Sequence, residues 1–143
     1  MIVVLTNADT EILGLRAVLE GLPAGFPPVR AANPAALEEP PDLEGVQMVL
    51  VRLLGGRRAW ERPFDDLRRA CIEQGVPLLA FGGEMVPDAE LASASTVPAD
   101  VVGRAFEYLA RGGLANLEHV LRFVADRLLG TSFGFAPPED VPA

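Results

Sequence analysis

Val46-Gln47-Met48-Val49-Leu50-Val51-Arg52-Leu53-Leu54-Gly55-Gly56-Arg57-Arg58-Ala59-Trp60 decides the fold of this chain. It begins as an apolar run too β-branched and too short for a comfortable helix, and it ends at two glycines followed at once by two arginines. That pattern predicts a central parallel strand, buried on both faces, which delivers an arginine-rich loop to one edge of a sheet. Arg52 interrupts the apolar run, where an unpaired charge is costly. It is therefore expected at the strand's end with an anionic partner.

Outward from this strand, strands alternate with helices. Upstream, Ile2 to Leu5 is a short apolar run entering the helix-capping cluster Thr6-Asn7-Ala8-Asp9-Thr10. Ile12, Leu15, Val18, Leu19 and Leu22 then recur at helical spacing until Gly21 and Pro23 stop the pattern. Pro28 to Asn33 reads as a short strand, and Pro34 to Glu39 as one or two helical turns closed by Pro40-Pro41. Downstream, Trp60, Phe64, Leu67 and Cys71 share one face of a helix that Gly75 ends, which makes Trp60 and Cys71 core residues. Val76 to Phe81 is a further strand, Pro87 to Glu90 a loop, and Ser95-Thr96-Val97 a candidate fifth strand. Val101, Val102, Ala105, Phe106 and Leu109 form the apolar stripe of another helix, broken at Gly112-Gly113. Asn116 is expected to cap a last helix whose face is Leu117, Val120, Leu121, Val124 and Leu128. Residues 1–132 thus read as one domain, and 133–143, with three prolines and no periodicity, as a linker or frayed tail.

Alternation of this kind predicts a three-layer α/β fold: a flavodoxin-like open parallel sheet of four to five strands with helices on both faces. The commonest small version has strand order 2-1-3-4 and binds ligands beyond the carboxyl ends of the strands. That rim would gather Asn7, Asp9, Arg52, Arg57, Arg58, Glu84 and Asp88. Arg52, Arg57 and Arg58 could clamp carboxylates in bidentate fashion. Equally, Arg52 could pair with Asp9 or Glu84 inside the fold while Arg57 and Arg58 face water. Gly55-Gly56 and Gly82-Gly83 could turn backbone amides toward a ligand, or simply turn strands into loops. Glu84, Asp88 and Glu90 could offer oxygens to a divalent metal, although hydration of an exposed loop explains them more simply. His119, with no second histidine and no cysteine beside it, reads as a surface residue on the last helix.

Composition narrows the function classes. The chain has 143 residues, half of them apolar, and a formal net charge of -8, which argues against a nucleic-acid surface. All 12 basic residues are arginine, so a Walker lysine, a Schiff-base lysine and a receiver-domain lysine are excluded. No segment has membrane-spanning length, the N-terminus has no basic lead, and the single Cys71 suits a reducing compartment, so a cytoplasmic location is expected. No complete catalytic or nucleotide-binding motif is present.

Several segments carry a family resemblance. They are Thr6-Asn7-Ala8-Asp9-Thr10-Glu11, Arg30-Ala31-Ala32-Asn33-Pro34-Ala35, Val51 to Trp60 with its Leu-Gly-Gly-Arg-Arg-Ala-Trp element, Phe81-Gly82-Gly83-Glu84 with Pro87-Asp88-Ala89-Glu90-Leu91, and Ser95-Thr96-Val97-Pro98. In this order they span nearly the whole chain, and the sequence resembles the N-terminal region of the large subunit of aerobic cobaltochelatase, CobN, a relative of the magnesium chelatase H subunit. The resemblance implies a metal chelatase of the ligase class in which partner ATPase subunits, using ATP and Mg²⁺, drive Co²⁺ into hydrogenobyrinic acid a,c-diamide during cobalamin biosynthesis. The family chain is far longer, so the present piece is expected to hold no cofactor or metal of its own and to be inactive in isolation. Two roles follow for the rim: contact with the acidic side chains of the tetrapyrrole, or docking as a lid on the rest of the large subunit or the ATPase subunits. The second is preferred, because no metal-ligand set is present. Outside the family, a free-standing flavodoxin-like module for a small anionic ligand is the alternative.

Overall fold

The computed structural model describes residues 1–140, so the last three residues of the tail expected at 133–143 lie outside the described residues. Four strands, β1 (Ile2–Thr6), β2 (Val29–Ala32), β3 (Met48–Leu53) and β4 (Leu78–Gly82), form a sheet of order β2-β1-β3-β4. All neighbours are parallel, with Thr6 opposite Arg52 and Arg52 opposite Phe81. The helices are α1 (Asp9–Leu19), α2 (Glu61–Gln74), α3 (Ala89–Ala94), α4 (Ala99–Arg111) and α5 (Leu114–Leu128). This is the three-layer α/β fold that the alternation predicts.

Strand periodicity divides the core. Ile2, Val4, Met48, Leu50, Leu79 and Phe81 face a layer built by α1, α4 and α5, whereas Val3, Leu5, Val49, Val51, Leu53, Leu78 and Ala80 face α2 and Leu91 of α3. Both faces are covered, which is why β1, β3 and β4 are buried at every position apart from Arg52. Trp60 closes a single 3₁₀ turn (Arg57–Trp60) and, with Phe64, Leu67 and the buried Cys71, packs the α2 layer as expected. Desolvation raises the Cys71 thiol to about 11, in keeping with a core role. Gly75 ends α2 in the left-handed conformation (φ +69°), its N–H returning to the carbonyls of Cys71 and Ile72.

Three local expectations are corrected. Ser95-Thr96-Val97 forms no strand: it lies along the outer edge of β4, where the Thr96 N–H donates to Leu78 O (2.9 Å). The Thr96 hydroxyl accepts from Leu78 N and the Ser95 hydroxyl from Ala80 N, both at 2.9 Å. Two hydroxyls thereby occupy the edge donors that a fifth strand would have paired. Residues of the expected loop at Pro87 to Glu90 instead start α3, because the Asp88 carboxylate accepts from Leu91 N at 3.0 Å and caps it. Pro34 to Glu39 supplies one of the one or two helical turns expected, the 3₁₀ turn Pro34–Ala36, with Asn33 as its cap. Asn116 is not a cap; it is buried in the first turn of α5, and Gly113 holds the cap position.

Asn116 has a different task. Its amide donates to Gly112 O (2.7 Å) and Glu139 O (2.8 Å) and accepts from Glu139 N (3.0 Å). Residues 129–140, without helix or strand, run back along α4 and α5 through a series of such contacts. His119 Nδ1 accepts from Ala136 N at 2.9 Å, the Tyr108 hydroxyl donates to Ala136 O, and Arg111 donates to Pro138 O. His119 is accordingly half-buried, not the surface residue expected. Phe133 stacks on Phe26, and Phe135 meets Phe123 edge to face. Asp126 accepts from the Thr131 hydroxyl (2.7 Å), Phe133 N (2.9 Å) and Gly134 N (2.8 Å).

Two outcomes are expected from this packing. Trp60→Ala should destabilise the chain by about 3–5 kcal/mol in urea denaturation, the magnitude of a large aromatic lost from a packed core. The second concerns acid. Burial alone would push the Asp126 carboxyl up, but hydrogen bonds from Thr131, Phe133 and Gly134, with Arg122 nearby, outweigh it and hold the group below the ordinary aspartate range. A carboxyl lowered on folding contributes stability that is complete above the unfolded-state value and lost as pH falls through the folded-state value. Hydrogen exchange at Phe133 and Gly134 should therefore stay slow from neutral to mildly acidic pH and accelerate below it. In Asp126→Asn that acid step should be missing.

Candidate functional site

Arg52 is the residue on which the rim turns. Along β3, Met48 and Leu50 face the α1/α4/α5 layer, and the same alternation sends Arg52 to that side at the strand's end. Its Nη1 meets Glu11 Oε2 at 2.5 Å and Leu109 O at 2.9 Å, and its Nε donates to Gly82 O at 3.2 Å. Both side chains of the pair are only 12% exposed. Glu11 lies in the first turn of α1 and Leu109 in the last turn of α4, so both helix dipoles favour the arrangement. The anionic partner expected for Arg52 exists, but it is Glu11 rather than Asp9 or Glu84. Register explains the difference: Thr6 is opposite Arg52, and one further turn of chain places Glu11, not Asp9, over the guanidinium.

The remaining rim residues divide. Asn7 clamps Leu54, donating to its O (3.0 Å) and accepting from its N (2.7 Å), which prolongs β1–β3 pairing past the strand ends. Asp9 accepts from Asn33 Nδ2 at 3.1 Å and ties α1 to the end of β2. Arg57, expected to be exposed, is half-buried and held between Asp65 and Glu90. Asp88 caps α3. Arg58 and Glu84 are exposed as expected, and neither has an ion-pair partner among the described residues.

Gly55 and Gly56 hold positive φ (+87° and +75°) and turn the chain out of β3, whereas Gly82 and Gly83 serve packing. A Cβ on Gly83 would come within 2.3 Å of the Leu54 side chain and 2.8 Å of its Cα, and one on Gly82 would lie 2.9 Å from Asp88 Cβ. Close approach of the two loops, not ligand contact, accounts for these glycines. Among the described residues no three His, Cys, Asp or Glu side chains gather into a group able to hold a metal.

Two of the open clefts lie at the rim and beside β4. One, of about 460 Å³, lies on the rim between the start of α1 and the α4–α5 turn, with the paired Glu11 and Arg52 in its wall. The other, of about 520 Å³, opens between α3 and α4. Its floor is Ala80 and Phe81 of β4, its walls include Ala92, Val102, Gly103 and Phe106, and Asp88 and Glu107 stand among its lining. Sequence reading missed it because α3 was expected as loop. The only available signal was Asp88 three residues before Leu91, a helix-start pattern.

The sequence matches no protein-family model. Over 149 aligned positions it is 29% identical to the aerobic cobaltochelatase subunit CobN of Pseudomonas aeruginosa. The structure also matches the catalytic subunit of cobaltochelatase from Mycobacterium tuberculosis, with a TM-score of 0.82, 35% identity and 99% of this chain covered. The chain is homologous to part of the CobN-type subunits. It spans 12% of the length of the Pseudomonas protein and 11% of the Mycobacterium chain. The resemblance to CobN thus extends from sequence to fold. No helix among the described residues is long and apolar enough to cross a membrane.

In this chain the rim arginines should separate by mutation. Arg52→Ala leaves the Glu11 carboxylate buried and unpaired and should destabilise the chain by about 3–5 kcal/mol. Arg58→Ala, at an exposed site, should change stability by less than about 0.5 kcal/mol. Parallel urea denaturations measure both.

Proposed function

We propose that this chain is the N-terminal head domain of the large, substrate-binding subunit of an ATP-dependent aerobic cobaltochelatase. That complex would insert Co²⁺ into hydrogenobyrinic acid a,c-diamide in cobalamin biosynthesis, in the cytoplasm, as a ligase-class enzyme. ATPase chelatase subunits would supply ATP and Mg²⁺ chemistry, and the remainder of the large subunit would hold cobalt and tetrapyrrole. Within the complex the domain acts as a docking or lid module and is not catalytic alone.

One observation supports the docking role: of the rim arginines that could have met an acidic tetrapyrrole, Arg52 is committed inside the fold and Arg57 is already paired at its surface, which leaves Arg58. Arg52 is consumed by Glu11 and three carbonyls, while the half-exposed Arg57 is paired with Asp65 and more loosely with Glu90. A guanidinium so engaged can accept an anionic ligand only by giving up these contacts. Homology to cobaltochelatase subunits over 99% of the chain supports the wider assignment. Arg58 is the rim arginine left for direct substrate contact, and a free-standing anion-binding module would have to rely on it too.

Titration of the purified chain with hydrogenobyrinic acid a,c-diamide, followed through the ligand's visible spectrum with and without Co²⁺, tests this. No saturable change and no cobalt insertion are expected. Saturable binding that disappears in Arg58→Ala would overturn the docking role and put part of the substrate site on this domain.

A further inference from the structure

The cleft between α3 and α4 has features that the fold does not require. β4 is the edge strand, and beside it an apolar trough of about 520 Å³ opens between α3 and α4, with the largely buried Phe81, Val102 and Phe106 at its base. Gly103 lies in the same trough, inside α4. A glycine there disfavours the helix by about 1 kcal/mol relative to alanine. Yet a Cβ at Gly103 would have no atom within 4 Å, and its φ is not positive. Neither internal packing nor backbone conformation asks for glycine. What the missing side chain does is keep the trough deep.

Apolar surface continues out of the trough onto the preceding loop, where Met85 and Val86 are 73% and 68% exposed. They are the most exposed large hydrophobic side chains described, and they directly precede the Pro87–Asp88 lip. A surface extended in this way exceeds what a small molecule would cover and suits a helix lying in a groove. The lining also has a sign: it includes Asp88 and Glu107 and no basic side chain. Glu84 and Glu90 stand exposed beside them. Glu107 is paired with Arg104 at 3.3 Å and Glu90 with Arg57 at 3.5 Å, but both pairs are exposed on at least one side and yield readily to a competing cation.

We infer that the α3–α4 cleft is the docking groove of this domain and that it takes an amphipathic helix whose apolar face is flanked by arginine or lysine. The apolar anchors enter beside Gly103, between Phe81 and Phe106, and the basic flank meets Asp88 and Glu107. A second copy of this chain fits poorly, since it would bring another acidic margin against the first in a chain of net charge -8. This inference deepens the docking role proposed above by naming the surface and the chemistry of the partner.

The test uses the 143-residue chain and a synthetic helical peptide of about 18 residues, roughly 27 Å long. The peptide carries leucine on one face and arginine on the flanks, and a control carries glutamate in place of arginine. Saturable chemical-shift changes centred on Phe81, Val102, Gly103 and Phe106 are expected, with the arginine peptide bound at least about tenfold tighter than the control. Gly103→Leu fills the trough and improves the helix, so it should retain or raise the melting temperature while weakening the peptide about tenfold or more. Glu107→Arg, an exposed change, should erase the preference for the arginine peptide. Shifts scattered elsewhere, or affinity unchanged in Gly103→Leu, would overturn the groove. Concentration-dependent dimerisation of the chain alone, abolished by Gly103→Leu, would assign the cleft to a second copy instead. Hydrogenobyrinate titration reads the chelatase assignment independently, since that ligand is acidic and the cleft is not basic.

Discussion

The buried pair between Arg52 and Glu11 is the constraint around which the carboxyl end of the sheet is arranged. A guanidinium carried by the central strand cannot be left unpaired where both faces are covered. Its neutralisation requires the first turn of α1, the last turn of α4 and the end of β4 to meet at one place. Charge and hydrogen bonding together offset the desolvation, and the two helix termini add dipoles of the favourable sign. Without these partners the arginine would be tolerable only at an exposed strand end.

That end of the sheet, the usual place for a ligand in such folds, keeps an open cleft of about 460 Å³, but the two charges in its wall, Glu11 and Arg52, are spent on each other. Asn7 repeats the logic with a neutral side chain, pairing both backbone groups of Leu54. Gly83 allows the β4 loop to lie directly against Leu54. The outcome is a rim rich in polar residues of which Asn7, Asp9, Arg52 and Asp88 are tied into the fold.

The opposite tendency appears at the β4 edge. Ser95 and Thr96 satisfy the strand's outward N–H groups with hydroxyls and so leave no ladder for another strand to join. Above them a cleft of about 520 Å³ opens between α3 and α4, with the largely buried Phe81, Val102 and Phe106 in its lining. An edge closed to strand addition beside an apolar trough directs any partner toward side-chain contacts. At the other side of the sandwich, residues 129–140 are strapped to α4 and α5 by Tyr108, Asn116, His119 and Asp126, side chains that a helical wheel would assign to a solvated or capping role.

Local patterns determined the layer architecture. The apolar run at 48–53, the four-three-four spacing of Trp60, Phe64, Leu67 and Cys71, and the stripe from Val101 to Leu109 each follow a periodicity that the backbone imposes within a few residues. They also foretold that Arg52 must be paired, since burial cost is a property of the residue. Which acid pairs with it was decided by tertiary structure, because strand register and the entry of α1 determine whether Asp9 or Glu11 reaches the guanidinium. The same holds for Ser95-Thr96, for Asn116 and for the α3–α4 cleft. Each depends on contacts between segments distant in sequence, and short polar side chains such as serine, threonine and asparagine pair with whatever backbone the packed layers bring to them.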